Sequence, residues 1–561
     1  MAQDNLEEIP WRRWWLKPLI VLVLAVALGF GGWRLYLRWQ LDRLVTEARA
    51  LTERGEYRPA VLALERALQI NPASAKATRA MAELTDKLGL ETAVDWRRSV
   101  LELDPGSASD ALALASSALR HRNTTAAQQA LEKVSPAERE QPQFHTMAGG
   151  AAIAAGHYAE AEKHFSEALR LQPDNLVAQY NLAVIQVQSP DEAKRRDGQA
   201  ALARLAQSGR FDLLARRALV TRLAREKKLD EAQRWSAELV ALPQAEFRDR
   251  LTHLDLLRAS QSPQLPDAIA QAEAAASKAA PEDAAAMLTW LRGAGQVQDA
   301  LSWAATLAAP LADHPRVAVA RAECLRAAGQ WKELQALMEK GSWAEWEFAR
   351  HAYRARAARE LNDTFSSGTF WSAAITAAKT RDQLSQLAWL AARWKWTPQL
   401  QETLWTATRQ PKPEWALQML HRVYRDSGDT EGLLRVARAA LARDEKDLNA
   451  LNNVAMLLLL LGRDPDEAMK MARQVHTAAP ANATFASTYA FALHRAGRTA
   501  EGLGILRKLP AEQLKKPEIA AYFAVLLTAT GEKAEAEPFR VLAREAALLP
   551  EEKALLAAGG P

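Results

Sequence analysis

Gly55-Glu56-Tyr57-Arg58-Pro59-Ala60, running on through Val61 to Pro72, is the stretch that decides the fold. Gly55 follows Leu44, Ala48 and Leu51, which share helical spacing. A glycine there can turn left-handed and close a helix without a Cβ clash. Tyr57, two residues on, is expected to fill the corner between two helices. Ala60, Leu64, Ala67, Leu68 and Ile70 then fall on one face of a second helix. Pro72 closes it, because proline cannot continue the helix.

The same grammar returns as Gly156, Tyr158, Ala161, Phe165, Ala168, Leu169, Leu171 and Pro173, and more weakly as Gly89, Val100, Leu101, Leu103 and Pro105. Near the C-terminus Gly497 and Gly531 stand 34 residues apart, as do Ala468, Gly502 and Ala536. A hinge glycine, an aromatic two on, an alanine five on and a closing proline resemble the tetratricopeptide repeat family, over about residues 41–550. The resemblance implies an all-α, helical-hairpin solenoid wound as a right-handed superhelix, with the first helix of each repeat lining the concave face.

Composition agrees with a stacked array. A chain of 561 residues is long for one compact core, but stacked pairs need bury their faces only against neighbours. The 72 basic and 67 acidic residues are interspersed, which suits solvated helix faces and argues against nucleic acid as a partner. Cys324 is the only cysteine, which excludes an intrachain disulfide and any multi-cysteine metal motif.

The chain opens with a short tail, 1–17, and then an uncharged run of sixteen residues from Pro18 to Trp33. As a helix that run spans about 24 Å, and flanking apolar residues extend it to an expected single membrane anchor at 18–37. Trp14, Trp15 and Lys17 on one side, with Trp33 and Arg34 on the other, match interfacial positions. A cleaved leader is the competing reading; Ala25-Val26-Ala27 sits inside the apolar run, which favours an uncleaved anchor. Arg12, Arg13 and Lys17 place the N-terminus inside and the repeats in the periplasm of a bacterial inner membrane. The basic residues after the run favour the cytoplasmic alternative.

Beyond the anchor the expected order is a first repeat array (38–246), a degenerate helical joint (247–285) broken at Pro263 and Pro266, a divergent stretch (286–414), and a second array (415–561). The divergent stretch is punctuated by Asp363–Gly368 and by Gln410–Pro413. Trp290 to Trp415 holds eleven of the 18 tryptophans. These rings are either an interface or gap-fillers between divergent helices, and their helical periodicity favours the second.

Within the family's register, first-helix residues Tyr180, Asn181, Asn453, Leu457, Phe491, His494, Arg495 and Tyr522 point into a partner-binding groove. Leu457 suits equally well a contact with its own neighbours. Chaperone-binding family members hold a C-terminal carboxylate with paired basic and amide residues; Asn181, Asn453 and Arg495 do not assemble that pattern. No catalytic or nucleotide motif stands out, and no cofactor or metal is expected. His157, Glu160, His164 and Glu167 have helical spacing that suits a metal but suits a solvated face better. Cys324 reads as a small buried side chain. The function implied is a membrane-anchored scaffold that gathers proteins in a cell-envelope complex, without catalysis. An enzyme site in the tryptophan-rich stretch and self-association are the alternatives.

Overall fold

The computed structural model describes residues 16–341 and 343–558. Every regular element among them is helical, and successive helices pack on each other in pairs. The end of each first helix makes the pair. At Gly55 and Gly156 φ is +79°, and the following N–H reaches five residues back: Glu56 to Leu51 at 2.9 Å and His157 to Ala152 at 2.8 Å. This closure satisfies a carbonyl that the helix end would leave orphaned. The same bond joins Lys228 to Leu223, Asp363 to Ala358 and Trp396 to Ala391, at 3.0, 2.9 and 2.8 Å. There the left-handed residue is Lys227, Asn362 or Lys395, at a cost of about 1–2 kcal/mol relative to glycine.

The chain divides at Ala272/Glu273 into two compact units. That division falls inside the helix Leu265–Ala276 and within the alanine-rich 247–285 stretch. Gln261, with φ +55°, ends the preceding helix Phe247–Ala259 by the same closure, and Pro266 sits in the first turn of the next. Asp363–Gly368 does not interrupt its stretch: Asp363 accepts from the Ser366 N–H and caps the helix Thr364–Ala377, which contains the other five residues. First helices open on caps that stand two residues after a closing proline: Ser74 after Pro72, Ser107 after Pro105, Asn175 after Pro173 and Asn482 after Pro480.

Tyr57 and Tyr158 do not fill corners. Each begins its second helix and is 36% or 56% exposed, while Ala60 and Ala161 make the close contact at 0% exposure. The small residue is required because two backbones approach there. At Gly502 the approach is closest: a Cβ would stand 2.5 Å from the Ala490 carbonyl oxygen. The tryptophans of the middle stretch are mostly packed inward: Trp303, Trp343, Trp371, Trp394 and Trp396 are buried, and Trp290, Trp331, Trp346, Trp405 and Trp415 are half-buried. Trp371, Trp394 and Trp396 meet edge to face with centroids 5.3–6.3 Å apart, and Tyr353 joins them. Trp389 is the exception, 57% exposed with Arg393 over its ring.

Many charged residues bridge neighbouring pairs instead of only facing water. Lys76 meets Asp42, Arg49 meets Glu83 and Arg120 meets Asp86, each 34 residues apart. Exposed pairs of this kind add little. Those with a buried carboxylate matter more: Asp86, which Arg97 also meets at 2.8 Å, Asp110 on Arg79, and Asp249 on Arg217 at 2.7 Å. Glu226 is a node that takes Arg222 at 2.7 Å and Lys228 at 2.9 Å, with Gln199 from the preceding pair. Burial alone would raise its pKa, but Lys228, Arg222 and Gln199 outweigh it and hold the carboxyl at about 2.

The first helix, Leu16–Glu53, runs 38 residues without a break. Its inner end buries Leu41, Val45 and Ala48 against the helix Tyr57–Ile70, while Val21, Leu22, Leu24, Trp33 and Leu35 are more than half exposed. Among the described residues no helix is long and apolar enough to cross a membrane. The expected anchor falls partly on side chains outside the described residues (16–20, 23, 25–28 and 30, Lys17 among them), and Trp14 and Trp15 lie outside them altogether.

Two outcomes follow from this packing. Gly502→Ala should destabilise the pair Ala483–Leu506 by about 1–3 kcal/mol, because the Cβ drives two backbones apart. Amide exchange within those helices checks it; unchanged protection contradicts the close approach. Glu226 binds its proton less readily folded than unfolded, so its stabilisation is present above about pH 4.5 and is lost as pH falls toward 2. Glu226→Gln should therefore show a shallower acid-induced loss of stability over that window, read by tryptophan fluorescence during acid titration.

Candidate functional site

The second unit carries a groove floored by first helices. Leu448–Leu461 and Ala483–Arg495 lie side by side, as do Ala483–Arg495 and Pro517–Ala529, while Glu414–Ser427 contributes the wall at the earlier end. Between that wall and Leu448–Leu461 is a cavity of about 370 Å³. Leu417, Val436 and Leu457 give it an apolar floor; Gln418, His421 and Asn453 stand exposed along its rim. The amides of Gln418 and Asn453 make no side-chain hydrogen bond among the described residues, so both can meet a ligand's backbone or side chains.

The structure separates the eight first-helix residues singled out from sequence. Asn453 is exposed at the cavity, and Leu457 is buried in its floor. His494 is half-buried beside a second cavity of about 310 Å³, and Arg495 is exposed. Burial, then the Arg495 charge, lower the His494 pKa, so the ring is neutral at pH 7. Phe491 and Tyr522 are 0% and 5% exposed and offer no open surface; their rings lie 5.1 Å apart. In the first unit Tyr180 is half-buried and stacked on Phe211 at 5.3 Å, and Asn181 donates to the Val177 carbonyl at 2.9 Å within its own helix. The sequence register does not reveal that Asn181 is already committed.

The cover over Tyr522 is the chain's own C-terminal segment. The helix Pro550–Ala558 packs on Leu448–Leu461 and Pro517–Ala529, and the Tyr522 hydroxyl donates to Glu552. Thr430 donates to Glu551 at 2.5 Å and Arg425 to the Ala547 carbonyl at 3.2 Å. Burial, and next the Glu552 charge, push the Tyr522 phenol well above its ordinary pKa, so it remains a donor. Nothing in a 34-residue repeat identifies this cover, whose bonds from Thr430 and Arg425 join residues 121 and 122 apart. The one signal is the sequence Pro550-Glu551-Glu552 opening a short amphipathic run after the last repeat.

The other chemistry-bearing residues are taken up by packing. Cys324 is fully buried, and burial pushes its thiol up to about 11, far from a nucleophile's range. Its neighbour Glu323 holds Arg393 at 3.0 Å, Arg326 at 3.1 Å and the Tyr353 hydroxyl at 2.9 Å. His145 and His164 meet at 3.1 Å between their Nδ1 atoms, while Glu167 pairs with Arg170 at 2.6 Å. Among the described residues no three His, Cys, Asp or Glu side chains gather as a metal site.

Two stretches match models of the tetratricopeptide repeat, residues 142–175 and residues 459–522. The chain thus carries repeats of that family in both units, the second match lying along the groove. A comparison with curated proteins finds no match. Among solved structures, Pseudomonas aeruginosa PilF is 16% identical, with 42% of this chain and 92% of that one covered and a TM-score of 0.27. A tetratricopeptide repeat protein from Parabacteroides merdae is 13% identical over 52% and 99%, at 0.36. The Cut9–Hcn1 hetero-tetramer of APC/C gives 11% identity over 81% and 96%, at 0.29. Likenesses of this size identify no function.

Proposed function

We propose that this protein is a non-enzymatic docking scaffold, with the groove of its second unit receiving segments of partner proteins. The observation that carries the reading is the 370 Å³ cavity on an apolar floor, rimmed by the unbonded amides of Asn453 and Gln418. Such a surface supplies burial for anchor side chains and hydrogen bonds for orientation, the two ingredients of peptide capture. The repeats matched at 142–175 and 459–522 support the same reading. The tryptophan-rich stretch, where an enzyme site was the alternative, has its buried carboxylate, phenol and thiol engaged in packing.

The long first helix suits an attachment role. Its exposed Val21, Leu22, Leu24, Trp33 and Leu35 favour a lipid surface, and the uncharged run Pro18–Trp33 supports a single anchor. Arg12, Arg13 and Lys17 ahead of it favour repeats on the periplasmic side. The cargo is then a protein of a cell-envelope assembly, and tethering raises its local concentration at the membrane.

Asn453→Arg with Gln418→Arg should lower capture of the partner by the detergent-extracted full chain by tenfold or more, while helicity and melting stay unchanged. Capture that is indifferent to both substitutions rules out this groove. An alkaline phosphatase fused at the C-terminus should be active in a bacterial host; a well-expressed, inactive fusion reverses the proposed membrane side.

A further inference from the structure

The C-terminal segment shows what the groove accepts. We propose that residues 547–558 are a built-in occupant, and that the natural ligand is a partner's amphipathic helix, longer than this one, opening on paired carboxylates with leucines a turn later. The inference rests on the docking reading above and names the ligand chemistry of that same groove.

Each contact of the segment is of a kind a separate peptide can make. Glu551 and Glu552 are received by the hydroxyls of Thr430 and Tyr522, and the Ala547 and Leu556 carbonyls by Arg425 and Arg540. Pro550 lies against Gly428, where a Cβ would approach its ring to 3.2 Å. The seat offers donors throughout, hydroxyls to the two carboxylates and guanidiniums to the two backbone carbonyls. Hydrogen bonds to an ionised acceptor are the stronger kind, so a helix start with paired carboxylates suits it best. Bonds from Thr430 to Glu551 and from Arg425 to Ala547 tie the segment to a pair lying 121 and 122 residues earlier in the chain.

The seat is only partly filled. Leu549 is buried, but Glu551, Glu552, Leu555 and Leu556 are half-buried, and Lys553, Ala554, Ala557 and Ala558 are exposed. A helix of nine residues is marginal without its seat. Two cavities remain along it: the 370 Å³ one beside Leu549 and Glu552, and the 310 Å³ one beside Leu555 and Leu556. A second copy of the chain, offering the same segment, leaves both cavities open. A longer helix extends into them, which makes a different protein the better occupant. While the segment is seated, its high effective concentration lowers the apparent affinity of any competitor by the fraction of time the groove is open.

The test uses the full chain and a fluorescein-labelled peptide with the sequence of residues 545–558. Further probes are the same peptide with both glutamates replaced by glutamine, and one lengthened by a leucine-containing turn at each end. Glu552→Lys with Leu556→Asp should free the segment and raise affinity for the acidic peptide about tenfold or more. The glutamine peptide should lose most of that affinity, and the lengthened one should bind tighter still. Equal binding by the native and freed chains, or indifference to the glutamates, overturns the proposal. So does a concentration-dependent dimer of the native chain that the strap variant abolishes.

A second variant, Thr430→Cys with Glu551→Cys, guards against misfolding. Oxidation should lock the segment and abolish peptide binding, and reduction should restore it. Failure of the disulfide to form, or binding unchanged by it, also overturns the proposal. If partner capture depends on Asn453 while all strap variants are silent, the docking reading stands and this inference alone falls.

Discussion

Nearly every first helix of these arrays, Leu176–Gln186 being an exception, ends in a residue that turns left-handed, and the N–H after it bonds a carbonyl five residues back. At Gly55 and Gly156 the turn is free of Cβ strain, so the chain reverses and the next helix lies on the one before. Everything else is arranged around that reversal. The alanine five residues on must be small because the reversal brings two backbones together, and Ala60 and Ala161 are accordingly inaccessible. Where the reversal recurs at near-constant spacing, first helices line up beside one another, as Leu448–Leu461, Ala483–Arg495 and Pro517–Ala529 do, and they share one face.

The glycine hinges were legible because only glycine makes that conformation inexpensive. Hinges such as Asn362 and Lys395 were not, since a polar residue with positive φ leaves no compositional mark. The cap that follows a closing proline marks the next first helix independently of the hinge residue, as Ser74 follows Pro72 and Asn482 follows Pro480. Tyr57 shows the opposite error. An aromatic at a fixed offset suggested a filled corner, but the ring begins the second helix and stands ahead of the packing stripe. For the groove, the family's register sets Asn453 and Leu457 on an inward-facing first helix, and in the structure both line the cavity. That register could not show that Tyr522 is covered, because the covering residue belongs to no repeat.

Charge along the chain has a structural role that its near balance conceals. Asp42, Glu83 and Asp86 meet bases one repeat away, so opposite charges at equal spacing align neighbouring pairs. Exposed pairs of this sort contribute little energy, yet like charges at those positions would oppose the stacking register. Where the acceptor is buried, as at Asp110 and Asp249, the pair also satisfies a carboxylate that could not otherwise stay ionised in the interior.

The groove and its occupant share one weakness that is useful to a docking protein. A short helix held from one side by two carboxylates and two backbone carbonyls is not a core element; it has few buried side chains and much exposed backbone. Regions of that kind open at low free energy compared with the helix pairs beneath them. Phe491 and Leu458 are fully buried in the array beneath it, and the segment's hydrogen bonds end on Thr430, Tyr522, Arg425 and Arg540. Opening therefore exposes Tyr522 and Thr430 without dismantling the floor. A surface that can be uncovered while its scaffold stays folded can be regulated by competition alone, which is the role proposed above for residues 547–558.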